Sequence, residues 1–165
     1  AWRLEIIGPH DVKAGGGGEA YLAHLKALAA PLGKRAVFTG PLYDHALLAT
    51  RLRQAEIFVY PSIAENGEAL PMAPLEAMGQ GCVPIVSSLP CFNEYVVPHR
   101  SGLIIGENHS GEIRDVASLL DSIISNDRKR NILKLCALSV SRKFNLSNVS
   151  NKNLQILHQI LRNNI

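Results

Sequence analysis

At 165 residues, with 47% apolar and 19% charged side chains, the chain is long enough for one domain with its own core, and disorder is excluded. A formal net charge of +3 and 5% aromatic residues supply neither the basic stripe nor the ring platform that nucleic acids require, so no nucleic-acid partner is expected. Cys82, Cys91 and Cys136 form no C-x-x-C pair and read as packing thiols of a reduced, cytoplasmic protein, and no apolar run reaches the ~18 residues of a bilayer span.

The opening "AWRLEIIG" lacks the order of a signal peptide and reads as strand, Leu4 to Ile7, so the chain is expected to be a piece of something longer. After Gly15 to Gly18, read as a flexible surface loop, Tyr21, Leu25, Leu28 and Leu32 recur at helical spacing until Pro31 and Gly33 stop them. Ala36 to Phe38 is a second short strand. Asp44 is the expected N-cap of a helix with Leu48, Leu52 and Ala55 on one face. Ile57 to Tyr60 is apolar on both faces, as a buried parallel strand requires.

A loop and helix over residues 61–81 lead to the strand "CVPIV". A short helix near Cys91 to Val97 precedes the strand Leu103 to Ile105. Ile113, Val116, Leu120 and Ile123 mark an amphipathic helix, and another starts near Asp127, where "RKR" (Arg128 to Arg130) reads as a solvated face. Asn145 to Asn153 reads as a bend or loose linker into a last helix carrying Leu154, Leu157 and Leu161. Strands alternating with helices over short links predict a Rossmann-like α/β fold, a doubly wound parallel sheet in three α/β/α layers.

Ligands of such sheets bind beyond the carboxyl ends of the strands. "GGGGEA" formally satisfies a dinucleotide fingerprint, but it stands too far from the strand and lacks the acidic residue expected after the second strand, so a nicotinamide-dependent oxidoreductase is a remote reading. His10, His24, His45, His99, His109 and His158 show no metal-ligand spacing; surface or loop roles are expected for them, and no metal or cofactor is expected. Ser62 lacks the surroundings of a nucleophile elbow.

The stretch "ENGEALPMAPLEAMGQGCVPIV" combines more signals. Pro74 suits the first helical position, which would put Glu76 in the first turn and leave the amides of roughly Leu70 to Ala73 free for an anionic diphosphate. Glu76 could then accept ribose hydroxyls while Glu68, on the preceding loop, meets sugar hydroxyls. Spacing alone leaves a second reading open, in which Glu76 is a helix-dipole residue and Glu68 a solvated charge.

The wider stretch "FVYPSIAENGEALPMAPLEAMGQGCVPIVSS" resembles the donor-binding signature of the family 4 retaining glycosyltransferases of the GT-B fold. Tyr60, Pro61, Ser62, Glu68, Leu75, Glu76, Ala77, Met78, Gly81, Pro84 and Val86 match, and "FNEYVVPHRSGLII" is similar to the next segment of the family, up to Gly102. The resemblance covers residues 1–143 and implies a nucleotide-sugar-binding domain there, with residues 144–165 as a helical extension.

It implies that Glu68, the candidate catalytic residue, contacts the donor sugar, that Glu76 binds the ribose, and that the amides of Ala69, Leu70, Pro71 and Met72 border the diphosphate or sugar. The loop from Gly40 through Leu42 to Tyr43 would lie against the base. Ala69, Leu70 and Pro71 stand where the family often has Gly-Phe-Gly, which leaves the identity of the sugar open. The implied activity is glycosyl transfer with retention from a UDP- or GDP-sugar, without metal. The family's phosphate-binding Arg and Lys and its acceptor domain would lie upstream of Ala1, and that domain would make any peripheral membrane contact. The chain alone would then hold donor weakly and transfer nothing. A noncatalytic nucleotide-sugar module and a sugar-nucleotide epimerase are the alternatives.

Overall fold

A computed structural model describes residues 2–63, 69–106 and 113–163, with the backbone alone at 113–115, 146, 157, 161 and 163. Glu68 and His109, and the side chains of Ile113, Leu157 and Leu161, lie outside the described residues. The chain divides into two compact units, Ala1–Thr50 and Arg51–Ile165.

In the first unit, strands β1 (Leu4–Ile7) and β2 (Ala36–Gly40) run parallel, with Leu4 opposite Ala36 and Ile6 opposite Phe38. Parallel neighbours need a crossover, which helix α1 (Gly18–Ala29) supplies. The face expected to be apolar, Tyr21, Leu25, Leu28 and Leu32, is partly wrong: Tyr21 and Leu28 are exposed, and Leu22, Leu25, Ala29 and Leu32 are half-buried. Both series keep the helical period and share Leu25 and Leu32, differing by one residue at the other two positions, a rotation of the face by about 50°, so periodicity alone does not separate them. The helix tightens into a 3-10 turn, Ala30–Arg35, beginning at the residue before Pro31, whose nitrogen has no hydrogen to donate.

The glycine run is a closed turn rather than the expected flexible loop. The amides of Gly16 and Gly18 donate to the carbonyls of Asp11 at 2.8 Å and His10 at 2.7 Å. A Cβ on Gly16 would lie 2.3 Å from the His10 carbonyl carbon, so the glycine is what permits the backbone to approach so closely. Asp44 caps α2 (His45–Gln54) as expected, its Oδ1 accepting from the amides of Ala46 and Leu47 at 2.8 and 3.1 Å.

In the second unit, β3 (Ile57–Tyr60), β4 (Val83–Ser87) and β5 (Leu103–Ile105) form a parallel sheet with β4 in the middle. Pro84 is tolerated in that central strand because pairing to β5 begins only at Ile85, opposite Leu103, so the missing donor breaks no rung. The alternation of β4 splits the core. Val83 and Ile85 join Leu103, Ile123 and Leu133, whereas Val86 joins Leu75, Met78, Phe92, Tyr95 and Ile104.

Around the sheet lie α3 (Met72–Gly79), α4 (Ile113–Ile124), α5 (Asp127–Ser141) and α6 (Leu146–Asn163). The short helix expected near Cys91 to Val97 is a 3-10 turn, Pro90–Glu94, entered at Pro90 and ending three residues earlier than expected. The linker expected at Asn145 to Asn153 is instead the start of α6. Asn145 is its cap, with Oδ1 accepting from the Asn148 amide at 2.8 Å, and the following Asn and Ser residues occupy solvent-facing helical positions. Among the described residues no helix is long and apolar enough to cross a membrane.

Candidate functional site

The carboxyl end of β3 passes into α3, and this junction contains most of the residues singled out by sequence. Ala69 and Leu70 are exposed in a bend, Pro71 is the N-cap of α3 with φ −61° and ψ 116°, and Met72 is the first helical residue. The expected start at Pro74 is therefore two residues late. A residue before proline normally avoids the α region, yet Ala73 is helical because Pro74 still falls in the first turn, where no intrahelical donor is lost. Glu76 becomes the fifth helical residue, beyond the first turn where it was expected.

A helix leaves four N-terminal amide donors without internal acceptors. Here two of the four positions, Pro71 and Pro74, carry no N–H, and the free donors reduce to Met72 and Ala73, neither of which has a hydrogen-bond partner among the described residues. Two adjacent amides at the positive end of a helix dipole, reached from solvent beside an exposed Met72 side chain, are suited to an anion. The carbonyl of Pro71 points the other way, into the protein, and accepts from the buried hydroxyl of Tyr95 at 2.8 Å.

Glu76 is exposed one turn beyond Met72. Both line a groove of ≈ 420 Å³ whose lining also includes Leu138 of α5 and Arg142 and Phe144 of the 3-10 turn that follows it. A carboxylate on the wall of that mixed groove can accept hydrogen bonds from hydroxyl groups. A second groove, ≈ 390 Å³, borders His99, Arg128 and Lys129 at the amino ends of the strands, away from where ligands of such sheets bind.

Gly40, Leu42 and Tyr43 belong to the first unit. Gly40 ends β2 at φ 77° with its carbonyl accepting from Gly8 at 3.0 Å, Leu42 is half-buried, and Tyr43 is 77% exposed. Among the described residues no three His, Cys, Asp or Glu side chains gather as a metal cage.

Sequence reasoning missed Tyr95, although a tyrosine inside an apolar run that is buried must find a partner for its hydroxyl, and this is a usable signal. It also misread Arg130, which is held between α4, α5 and β3 and is no part of a solvated face.

A family model described as glycosyl transferases group 1 matches residues 1–136. Among curated proteins none matches. A structure of Anabaena Alr3699/HepE in complex with UDP and glucose is similar at a TM-score of 0.75 and 18% identity, over 95% of this chain and 40% of that one. Sucrose-phosphate synthase from Thermosynechococcus elongatus gives 0.75 and 22%, over 97% and 39%. The C-terminal domain of the glycosyl transferase group 1 family protein LpcC from Francisella tularensis gives 0.63 and 24%, over 76% and 63%. At these identities the likeness is one of fold, the Rossmann-like α/β architecture expected from the sequence, and the chain spans about two fifths of the length of the first two.

Proposed function

The chain belongs to the glycosyl transferases group 1 family, and from that premise we propose that it is the donor-binding half of a glycosyltransferase acting with retention of configuration. The diphosphate of a nucleotide sugar lies on the amides of Met72 and Ala73. The Glu76 carboxylate accepts hydrogen bonds from the ribose hydroxyls, and Glu68 contacts the transferred sugar. In transfer, the bond between the anomeric carbon and the donor phosphate oxygen breaks, an acceptor hydroxyl oxygen bonds to that carbon on the same face and gives its proton to the departing phosphate oxygen, and nucleoside diphosphate leaves. Amides fixed at a helix start stabilise the charge that develops on that oxygen without reorganising. The 165 residues bind donor and by themselves transfer nothing.

The observation that carries this reading is the pair of Met72 and Ala73 amides, unpartnered among the described residues, beyond the carboxyl end of β3, with a carboxylate one turn further on. UDP is the first nucleotide to try, because the Anabaena neighbour was solved with UDP and glucose. Calorimetric titration of the chain with UDP, GDP, UDP-glucose and NAD tests the reading. Binding of one diphosphate nucleotide in preference to NAD is expected; NAD binding tighter than both UDP and GDP would overturn it.

A further inference from the structure

The Met72 amide and the Pro71 carbonyl belong to one peptide unit, which is planar, so the direction of one fixes the direction of the other. In a trans peptide the two point to opposite sides, and no peptide bond in the described chain is cis. Whatever grips the Pro71 oxygen therefore aims the Met72 N–H.

Besides the first intrahelical bond of α3, which an N-cap carbonyl accepts, the oxygen is gripped by the Tyr95 hydroxyl at 2.8 Å, on a side chain only 1% exposed. The ring has little freedom to move. Phe92 and Phe144 meet it edge-on at 6.2 and 6.0 Å between centroids, with interplanar angles of 87° and 75°. Ser101 anchors the backbone beneath it, donating from Oγ to the Tyr95 carbonyl at 3.3 Å. Pro71 makes no side-chain cap hydrogen bond, and the phenol, which donates to a carbonyl, leaves the N–H groups of the first turn free. A hydrogen bond at the oxygen also polarises the peptide and strengthens the N–H on its far side as a donor.

We propose that Tyr95 is a positioning residue for the donor diphosphate: its phenol holds the Pro71–Met72 peptide so that the Met72 amide faces the anion. The inference rests on the donor-site reading above, and its test separates the two. Tyr95→Phe keeps the ring and its packing and removes the hydroxyl alone. Phe92→Leu disturbs the same aromatic cluster without touching Pro71 and serves as the control for general loosening.

UDP affinity measured by calorimetry on the full chain is expected to fall about fivefold to tenfold in Tyr95→Phe, the scale of one hydrogen bond, and to stay within about twofold of the parent in Phe92→Leu. At saturating UDP, the downfield shift of the Met72 amide proton is expected to be clearly smaller in Tyr95→Phe than in the parent. Equal losses in the two variants, or an unchanged Met72 shift, would overturn the role of Tyr95 while UDP binding by the parent leaves the donor site standing. Failure of the parent chain to bind UDP or GDP would overturn both.

Discussion

Arg130 Nε lies 3.0 Å from Oε2 of Glu56, the residue that leads into β3, while Nη1 of the same guanidinium donates to the carbonyls of Ile123 at 2.8 Å and Ile124 at 3.2 Å. Its Nη2 reaches Asp127 at 2.6 Å. One side chain thus closes the last turn of α4, the first turn of α5 and the entry to the sheet. Carbonyls at a helix end have no internal donor, and a planar fork with several N–H groups can satisfy two of them while holding a carboxylate.

Arg130→Ala should cost about 2–3 kcal/mol in urea unfolding, a scale typical of hydrogen bonds to charged groups. Most of that is assigned to the two helix-end carbonyls, the one at Ile123 above all because it is partly buried, while the Glu56 side chain is 55% exposed and its ion pair is screened. Arg130→Lys should recover less than half, since one ammonium cannot reach both carbonyls and the carboxylate. Equal stability of the Lys variant and the parent would show that charge alone matters.

Glu56 makes part of this stability depend on pH. Partial burial pushes its carboxyl up, but hydrogen bonds and charge from Lys134 and Arg130 outweigh that and leave it below its ordinary 4.5. A carboxylate with a depressed folded pKa contributes stability that is present above the unfolded value and is lost as pH falls through the folded one. Calorimetric melting should therefore decline in an acid limb below about pH 4.5, and Glu56→Gln should flatten that limb while lowering the neutral plateau. An acid limb identical in the variant would assign the effect to other carboxylates.

Much of the fold was legible because the signals were local. Asp44 before an apolar series, and the apolar doublets of β3 and β4, state their own conformation. The start of α3 was not legible to the residue, because two prolines compete for the first turn, and the cap falls on Pro71, whose carbonyl also meets Tyr95 from far along the chain. Asn145 was read as linker because Asn and Ser serve as caps, bends and solvated helix positions alike. Arg130 escaped because its partners lie as far away as Glu56, 74 residues distant, beyond any periodicity. Of the candidate site, the α3 junction was found by pattern, whereas the narrowing of its donors to Met72 and Ala73 needed the helix boundary.

Cys82 should be chemically silent in the native chain. Burial pushes its thiol up to about 11, with Lys134 acting weakly in the opposite sense and Glu56 adding to the rise, and the sulfur sits 3.1 Å from the Leu52 carbonyl. Iodoacetamide at pH 8 should modify the half-buried Cys91 and Cys136 and leave Cys82 intact until the chain is unfolded, as read by peptide mass spectrometry. Because the thiolate is disfavoured in the folded state, its contribution to stability is complete below about pH 9 and is lost as pH rises towards 11. Early labelling of Cys82 would contradict its burial.

Gly102 is required for want of space. A Cβ there would stand 2.7 Å from Pro84 Cγ, 2.8 Å from the Pro84 oxygen and 2.9 Å from Val96 Cγ1. The oxygen belongs to the central strand and cannot withdraw, so β5 would have to shift. Gly102→Ala should destabilise by about 1–3 kcal/mol, the usual cost of overpacking, with a corresponding fall in melting temperature. An unchanged melting temperature would mean that the edge of the sheet yields more easily than its packing indicates.

Glu76 separates the donor-site reading from a purely structural one. It is exposed in the middle of α3 and lies past the first turn, so as a helix-dipole residue it contributes little. Alanine is also the better helix former, and Glu76→Ala should leave folding stability within about 0.5 kcal/mol of the parent. If the carboxylate accepts two ribose hydroxyls, the same change should weaken UDP binding by at least about tenfold, on the scale of hydrogen bonds to a charged acceptor, while leaving inorganic pyrophosphate unaffected because it carries no ribose. Glu76→Gln, which keeps one acceptor oxygen, should fall between the two. Calorimetric titration of UDP and pyrophosphate against the three proteins reads the pattern directly: parallel losses for both ligands would move Glu76 to the phosphates, and no loss for either would return it to the protein surface.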